Sequence, residues 1–274
     1  MVATGPWSPE AAACLTAGVV DGLTLNYARG FAESDLDFLD AWPVKRLDVL
    51  DRTLTDLTPI ARLGASLESL SIQAASRAEI DLAAVPRLRT LAAWWSAVEE
   101  TIDQLDGLEE LTVMDYDEID LRPLAVQSSL TKLILKVAPL LETLDGAEDL
   151  SALAVLNVAA ARELHDATAL ASIAKSLVEV EFESCLAITA LDDLSSLQSL
   201  MFLGISDCGR VESLHPVAEL TNLEQLHAWG STRIMDNDLS PLLNLPRLSE
   251  VRMRDRRDYR PRVSTIQKQL ARCR

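Results

Sequence analysis

Leu200–Leu223 reads LMFLGISDCGRVESLHPVAELTNL, and its spacing decides the fold. Leu200, Leu203, Ile205 and Cys208 give L-x-x-L-x-I-x-x-C. Alternation at Leu203 and Ile205 marks a strand with one buried face. Val211, Leu214, Val217 and Leu220 then follow every third residue, which suits tight 3₁₀-like turns rather than a strand. The cycle restarts at Leu223. A strand, a turn, a short helical return and a new strand make one coil of a solenoid.

The coil recurs along the chain. Its first apolar position falls at Val20, Val44, Leu67, Leu88, Leu108, Leu130, Leu153, Leu177, Leu200, Leu223 and Leu248, 20 to 25 residues apart. Each start is followed by an alternating pair, such as Leu70 and Ile72, Leu111 and Val113, Leu133 and Leu135, or Val180 and Phe182. Periods of 20–29 residues with L-x-x-L-x-L are those of leucine-rich repeats. The runs DLTPIARLGASLESLSI (56–72) and DLSPLLNLPRLSEVRM (238–253) resemble the bacterial internalin-type, SDS22-like subclass of that family. The resemblance implies a curved parallel β-sheet on the concave face and short 3₁₀ or helical returns on the convex face. It implies little about function, which lives in sites rather than folds.

The chain departs from the family at the corner after each strand, where the family usually carries Asn. Here that position holds Ala28, Arg52, Ala75, Ser96, Tyr116, Ala138, Ala161, Cys185, Cys208, Ser231 and Arg256. Alanine cannot replace an amide's hydrogen bonds, so looser turns are expected.

The repeat sets the domain plan: an N-terminal helical cap over 1–19, a solenoid of ten to eleven repeats over 20–255, and a basic cap or tail over 256–274. Ser8-Pro9-Glu10 is a helix start, with a capping hydroxyl, a proline in the first turn and an acid against the dipole. The returns differ. SAVEETIDQL after Trp95 fits a short helical turn, and DATALASIAKSL is the best candidate for a regular helix. RDRRDYRPRV reads as a polar connection, and VSTIQKQLARC as a closing helix with Ile266 and Leu270 on one face.

Composition agrees with thin coils: 49% of residues are apolar but only 4% aromatic, so the cores are aliphatic. The net charge of −17 opposes nucleic acid phosphates and anionic membranes. Nine basic residues and two acids lie between Arg252 and Arg274, and −24 falls on the rest. MVATGPWSPEAAAC lacks the basic and apolar segments of a secretory signal, and no apolar run has transmembrane length, so a cytoplasmic location is expected. Cys185 and Cys208 hold one repeat position in adjacent coils and are expected to be reduced, small corner residues.

His165, His215 and His227 lie in different repeats, no Ser/His/Asp set can be assembled, and glycine-rich phosphate loops are absent. No catalytic residue, cofactor or metal site is assigned. The candidate binding residues are those that strand alternation turns away from the core. One group is Trp94 and Trp95, with Met114 and Asp115 in the next coil and Ile134 and Lys136 in the one after. A second is Glu179, Glu181 and Glu183, with no basic residue on the strands to either side. Alternate residues stand about 7 Å apart, too wide for a compact metal site. A third is His227, Trp229, Arg252 and Arg254. These expectations describe a non-catalytic protein-interaction module whose concave face binds a protein or peptide of basic character. The alternatives are a substrate-positioning part of an enzyme system and a self-associating structural protein.

Overall fold

The structure is a computed structural model that describes residues 1–75 and 78–272. The chain forms two compact units, Met1–Asp115 and Tyr116–Arg274.

In the first unit the strands are β1 (Val2–Ala3), β2 (Gly22–Asn26), β3 (Arg46–Leu50), β4 (Ser69–Gln73), β5 (Thr90–Trp94) and β6 (Glu110–Met114), each paired in parallel with the next. Every repeat start from Val44 to Leu108 lies two residues before its strand. Leu47 and Val49 pair with Leu70 and Ile72, Leu70 with Leu91, and Leu91 and Ala93 with Leu111 and Val113, all buried, so the aliphatic residues of successive coils stack. Strand β1 stands outside the repeat pattern. It lies on the outer edge of β2: the Met1 amino group donates to the Gly22 carbonyl, and Thr24 N donates to the Met1 carbonyl at 2.8 Å. Polar groups on that edge strand are thereby occupied. Helix α1 (Pro9–Thr16) follows, with the Ser8 hydroxyl accepting from Ala11 N. Trp7 stacks on Phe38 at 4.3 Å and on Trp42 at 5.5 Å, giving this end an aromatic seal that the aliphatic coils lack.

The second unit repeats the plan with β7 (Lys132–Leu135), β8 (Val155–Ala159), β9 (Glu179–Glu183), β10 (Phe202–Ser206), β11 (Arg210–Val211), β12 (Gln225–Ala228), β13 (Arg233–Ile234) and β14 (Glu250–Met253). Its main sheet runs β7-β8-β9-β10-β12-β14, all parallel, while β11 and β13 form a separate two-stranded ladder. Helix α2 (Val263–Leu270) covers the β14 edge, burying Val263 and Ile266, and Gln267 Nε2 donates to the Val251 carbonyl at 2.9 Å. The segment before α2 is not merely polar. Tyr259 is fully buried, and its hydroxyl accepts from Ile234 N.

Between strands the chain returns in 3₁₀ turns. Leu57, Ile60 and Leu63 are buried at three-residue spacing, and Ile60 N donates to Leu57 O. An acid opens many of these turns. Asp56 accepts from the backbone and hydroxyl of Thr58, Asp166 does the same for Thr168, and Asp238 accepts from Ser240 N. These bonds hold all three carboxyls below the usual range. Neither proposed helical return is α-helical. DATALASIAKSL carries a 3₁₀ turn at Thr168–Ile173, and SAVEETIDQL overlaps one short turn, Trp95–Ala97, and contains another, Ile102–Gln104. Coils this short leave room for tight turns whose every third residue faces inward, as Leu170 and Ile173 do.

The corners are more ordered than the missing asparagines suggest. Asp115, Ala160, Ser184 and Asp207 directly follow β6, β8, β9 and β10 and all have φ between 54° and 61°. In the second unit thiols and a hydroxyl replace the amide. Cys185 Sγ donates to Val158 O at 3.5 Å and Cys208 Sγ to Phe182 O at 3.3 Å. Thr232 Oγ1 donates to Ile205 O and accepts from Cys208 N. The corner residue of that coil is therefore Thr232 rather than Ser231, displaced by one because Trp229 and Gly230 lengthen the turn.

Candidate binding face

Residues one, three and five of each strand point away from the core, which makes the outward surface of the second unit a grid. Register builds its central row: Ile134 pairs with Asn157, Asn157 with Glu181, Glu181 with Gly204, Gly204 with His227, and His227 with Arg252. A neighbouring row runs Lys132, Val155, Glu179, Phe202, Gln225, Glu250.

Glu181 is half-buried. Burial pushes its carboxyl above the usual glutamate range. Glu183 and Glu179 push the same way, and His227 opposes them. Its side chain lies over Gly204, where a β-carbon would stand 2.8 Å from Glu181 Cγ. Beyond Gly204, the His227 ring meets the Phe202 ring edge-on at 4.8 Å. His227 Nε2 is 3.4 Å from Glu250 Oε1, and Arg252 Nε contacts the same oxygen. One carboxylate oxygen thus serves both a histidine and an arginine.

Toward β7 the same surface holds a recess of about 330 Å³, lined by Ile134, Lys136, Asn157, Ala159, Glu181 and Glu183. Small Ala159 leaves the space open, and Glu183 and Lys136 are exposed at its sides. The second expected group is therefore assembled on one strand, and part of the first joins it: Ile134 and Lys136 line the same recess from across β8. Sequence reasoning stopped at the strands flanking β9, which carry no cation. The nearest ones, Lys132 and Lys136, are one strand further out, and counting register to the second neighbour finds them.

In the first unit Trp94 and Met114 are in-register partners at the ends of β5 and β6, both partly exposed. Asp115 is exposed at the left-handed corner. Trp95 is a correction. It is 1% exposed, because it opens the 3₁₀ turn after β5 and takes the next inward position. It is core, not a binding residue. Of the third group, His227 and Arg252 are neighbours on the sheet. Trp229, 60% exposed, and exposed Arg254 lie beyond the strand ends.

No family model matches the chain, and no curated protein matches it. Solved structures do. An internalin (InlF) of Listeria monocytogenes superposes with a TM-score of 0.61 at 18% identity, over 78% of this chain and 64% of that one. A leucine-rich repeat protein of Leptospira interrogans gives 0.53 at 15% identity, over 90% and 76%. The chain has the leucine-rich repeat fold. A TDR receptor also superposes with this repeat protein, with a TM-score of 0.59 at 15% identity, over 90% of this chain and 46% of the receptor. The repeat protein spans less than two thirds of the internalin's length. None of its described helices is long and apolar enough to cross a membrane.

Proposed function

We propose that this repeat protein is a non-catalytic interaction module whose concave face binds a protein or peptide of basic character. The observation that carries the proposal is the column of Glu179, Glu181 and Glu183 on β9. Its three carboxylates make no ion pair among the described residues, and one of them is half-buried against its neighbours' charge. A cation from a partner relieves that repulsion. A strand-borne surface loses little ordering entropy on binding, and the net charge of −17 favours encounter with basic proteins over nucleic acids. Trp94 with Met114, and exposed Trp229, are the proposed aromatic anchors, since large aromatics dominate interface energies. A cytoplasmic setting belongs to the same proposal.

The test is capture from native cells with the tagged chain as bait, followed by crosslinking and mass spectrometry, in parallel with a variant carrying Gln at 179, 181 and 183. The expected result is a partner crosslinked to the concave face that associates more slowly with the variant and with a flatter salt dependence. Crosslinks confined to the 3₁₀ returns, or association unchanged in the variant, reject the proposal.

A further inference from the structure

In the second unit, two charged columns of opposite sign flank a neutral strand. Lys132 opens β7 and Lys136 follows its last residue, while Glu179, Glu181 and Glu183 alternate along β9. Between them β8 turns out Val155, Asn157 and Ala159. Register fixes the facing: Lys132 pairs with Val155 and Val155 with Glu179. Two strand spacings put the backbones of the columns about 9.6 Å apart. None of the five charges is ion-paired among the described residues.

We propose that this trough is a site for a dipolar peptide segment of the partner, with a basic side chain over the β9 glutamates and an acidic side chain two residues away over the β7 lysines. The inference rests on the protein-binding reading above and names the chemistry of its ligand. Same-face side chains of an extended peptide are about 6.8 Å apart. The remaining ~3 Å between the columns is about one hydrogen-bond length, which flexible lysine and glutamate side chains close. An extended segment crossing the strands therefore satisfies both columns at once. A uniformly basic segment would set a cation on Lys132 and Lys136, and a uniformly acidic one would meet the glutamates. The small Ala159 leaves the recess open beneath the segment, and Asn157 offers amide hydrogen bonds at mid-span.

The experiment uses the full chain, isotopically labelled for NMR, titrated with three capped pentapeptides: acetyl-Ala-Arg-Ala-Glu-Ala-amide, and its counterparts with Arg or Gln in place of Glu. The expected result is saturable shifts at Asn157 and Ala159, with the Arg–Glu peptide bound about fivefold more tightly than the Arg–Arg peptide. Lys136→Glu should reverse that order. Lys136 is exposed, so the folded state should survive the change, which an unchanged melting temperature verifies. Equal affinities, an order unmoved by Lys136→Glu, or no saturable shift in the trough overturns the proposal. A wild-type preference for the Arg–Arg peptide also overturns it, yet leaves the basic-partner reading standing, because capture with the glutamine variant judges that reading separately.

Discussion

Glu181 lies across Gly204, so close that a β-carbon there would meet Glu181 Cγ at 2.8 Å. The glycine lets a carboxylate lie low on the sheet, with Glu179 and Glu183 beside it and His227 beyond. Burial first, and those glutamates second, raise its pKa. An acid whose folded pKa exceeds its unfolded one binds more protons when folded, so stability falls as pH rises from the ordinary glutamate pKa, about 4.3, to the raised value. Above that window the full penalty persists. Glu181→Gln should therefore raise the denaturation midpoint at pH 7 and remove part of the loss of stability above about pH 4.3. Urea titrations of both proteins from pH 4 to 8 measure this. A variant less stable than wild type at pH 7 would mean that the carboxylate makes a stabilising contact.

The stacked aliphatic pairs predict a cost for emptying one. Leu133 is fully buried in β7 and in register with Leu156. Leu133→Ala should destabilise by about 2–5 kcal/mol, since neighbouring coils cannot collapse into the cavity without moving their strands. Chemical denaturation reads the change, and an unshifted midpoint would contradict the packing.

The corner thiols make a redox prediction. Cys185 and Cys208 are buried and free, and burial pushes their pKa values up to about 11 and about 12. Both donate to strand carbonyls, so both should be slow to alkylate in the native state, whereas Cys14 is exposed. Iodoacetamide should modify Cys14 natively, and should reach Cys185 and Cys208 only after unfolding. Protein prepared without reductant should show four thiols when unfolded. The fourth, Cys273, lies outside the described residues. A count of two would contradict both the free thiols and the cytoplasmic proposal.

The repeat and its strands were legible because period is a property of the chain: each repeat start stands two residues before a strand, from Val20 before β2 to Leu248 before β14. The outward glutamates were legible for the same reason, since alternation fixes a side chain's face. What escaped depends on neighbours. Thr232 took the corner from Ser231 because one extra turn residue shifts the count. The ladder of β11 and β13 and the edge strand β1 are too short to leave a pattern. The opposed columns on β7 and β9 appear only when register is followed across two strands. Alanine and cysteine are alike in size at an asparagine-free corner, but only the thiol donates a hydrogen bond, as Cys185 and Cys208 do.

The adjacent tryptophans separate packing from binding. Trp94 ends β5 pointing outward, half-buried, with Met114 beside it on β6, and its Nε1 has no hydrogen-bond partner among the described residues. Trp95 turns inward and is 1% exposed. Truncating the first should remove surface, and truncating the second should open a cavity. Trp95→Ala should cost about 3–5 kcal/mol of stability. Trp94→Ala should leave the fold intact and weaken partner binding by about 2 kcal/mol, roughly thirtyfold, because a covered indole buries on the order of 150–250 Å². Thermal denaturation of both variants, with calorimetric titration of the captured partner, distinguishes the two roles. If Trp94→Ala lowers the melting temperature as much as Trp95→Ala and binding is unchanged, the indole is packing and not the proposed anchor.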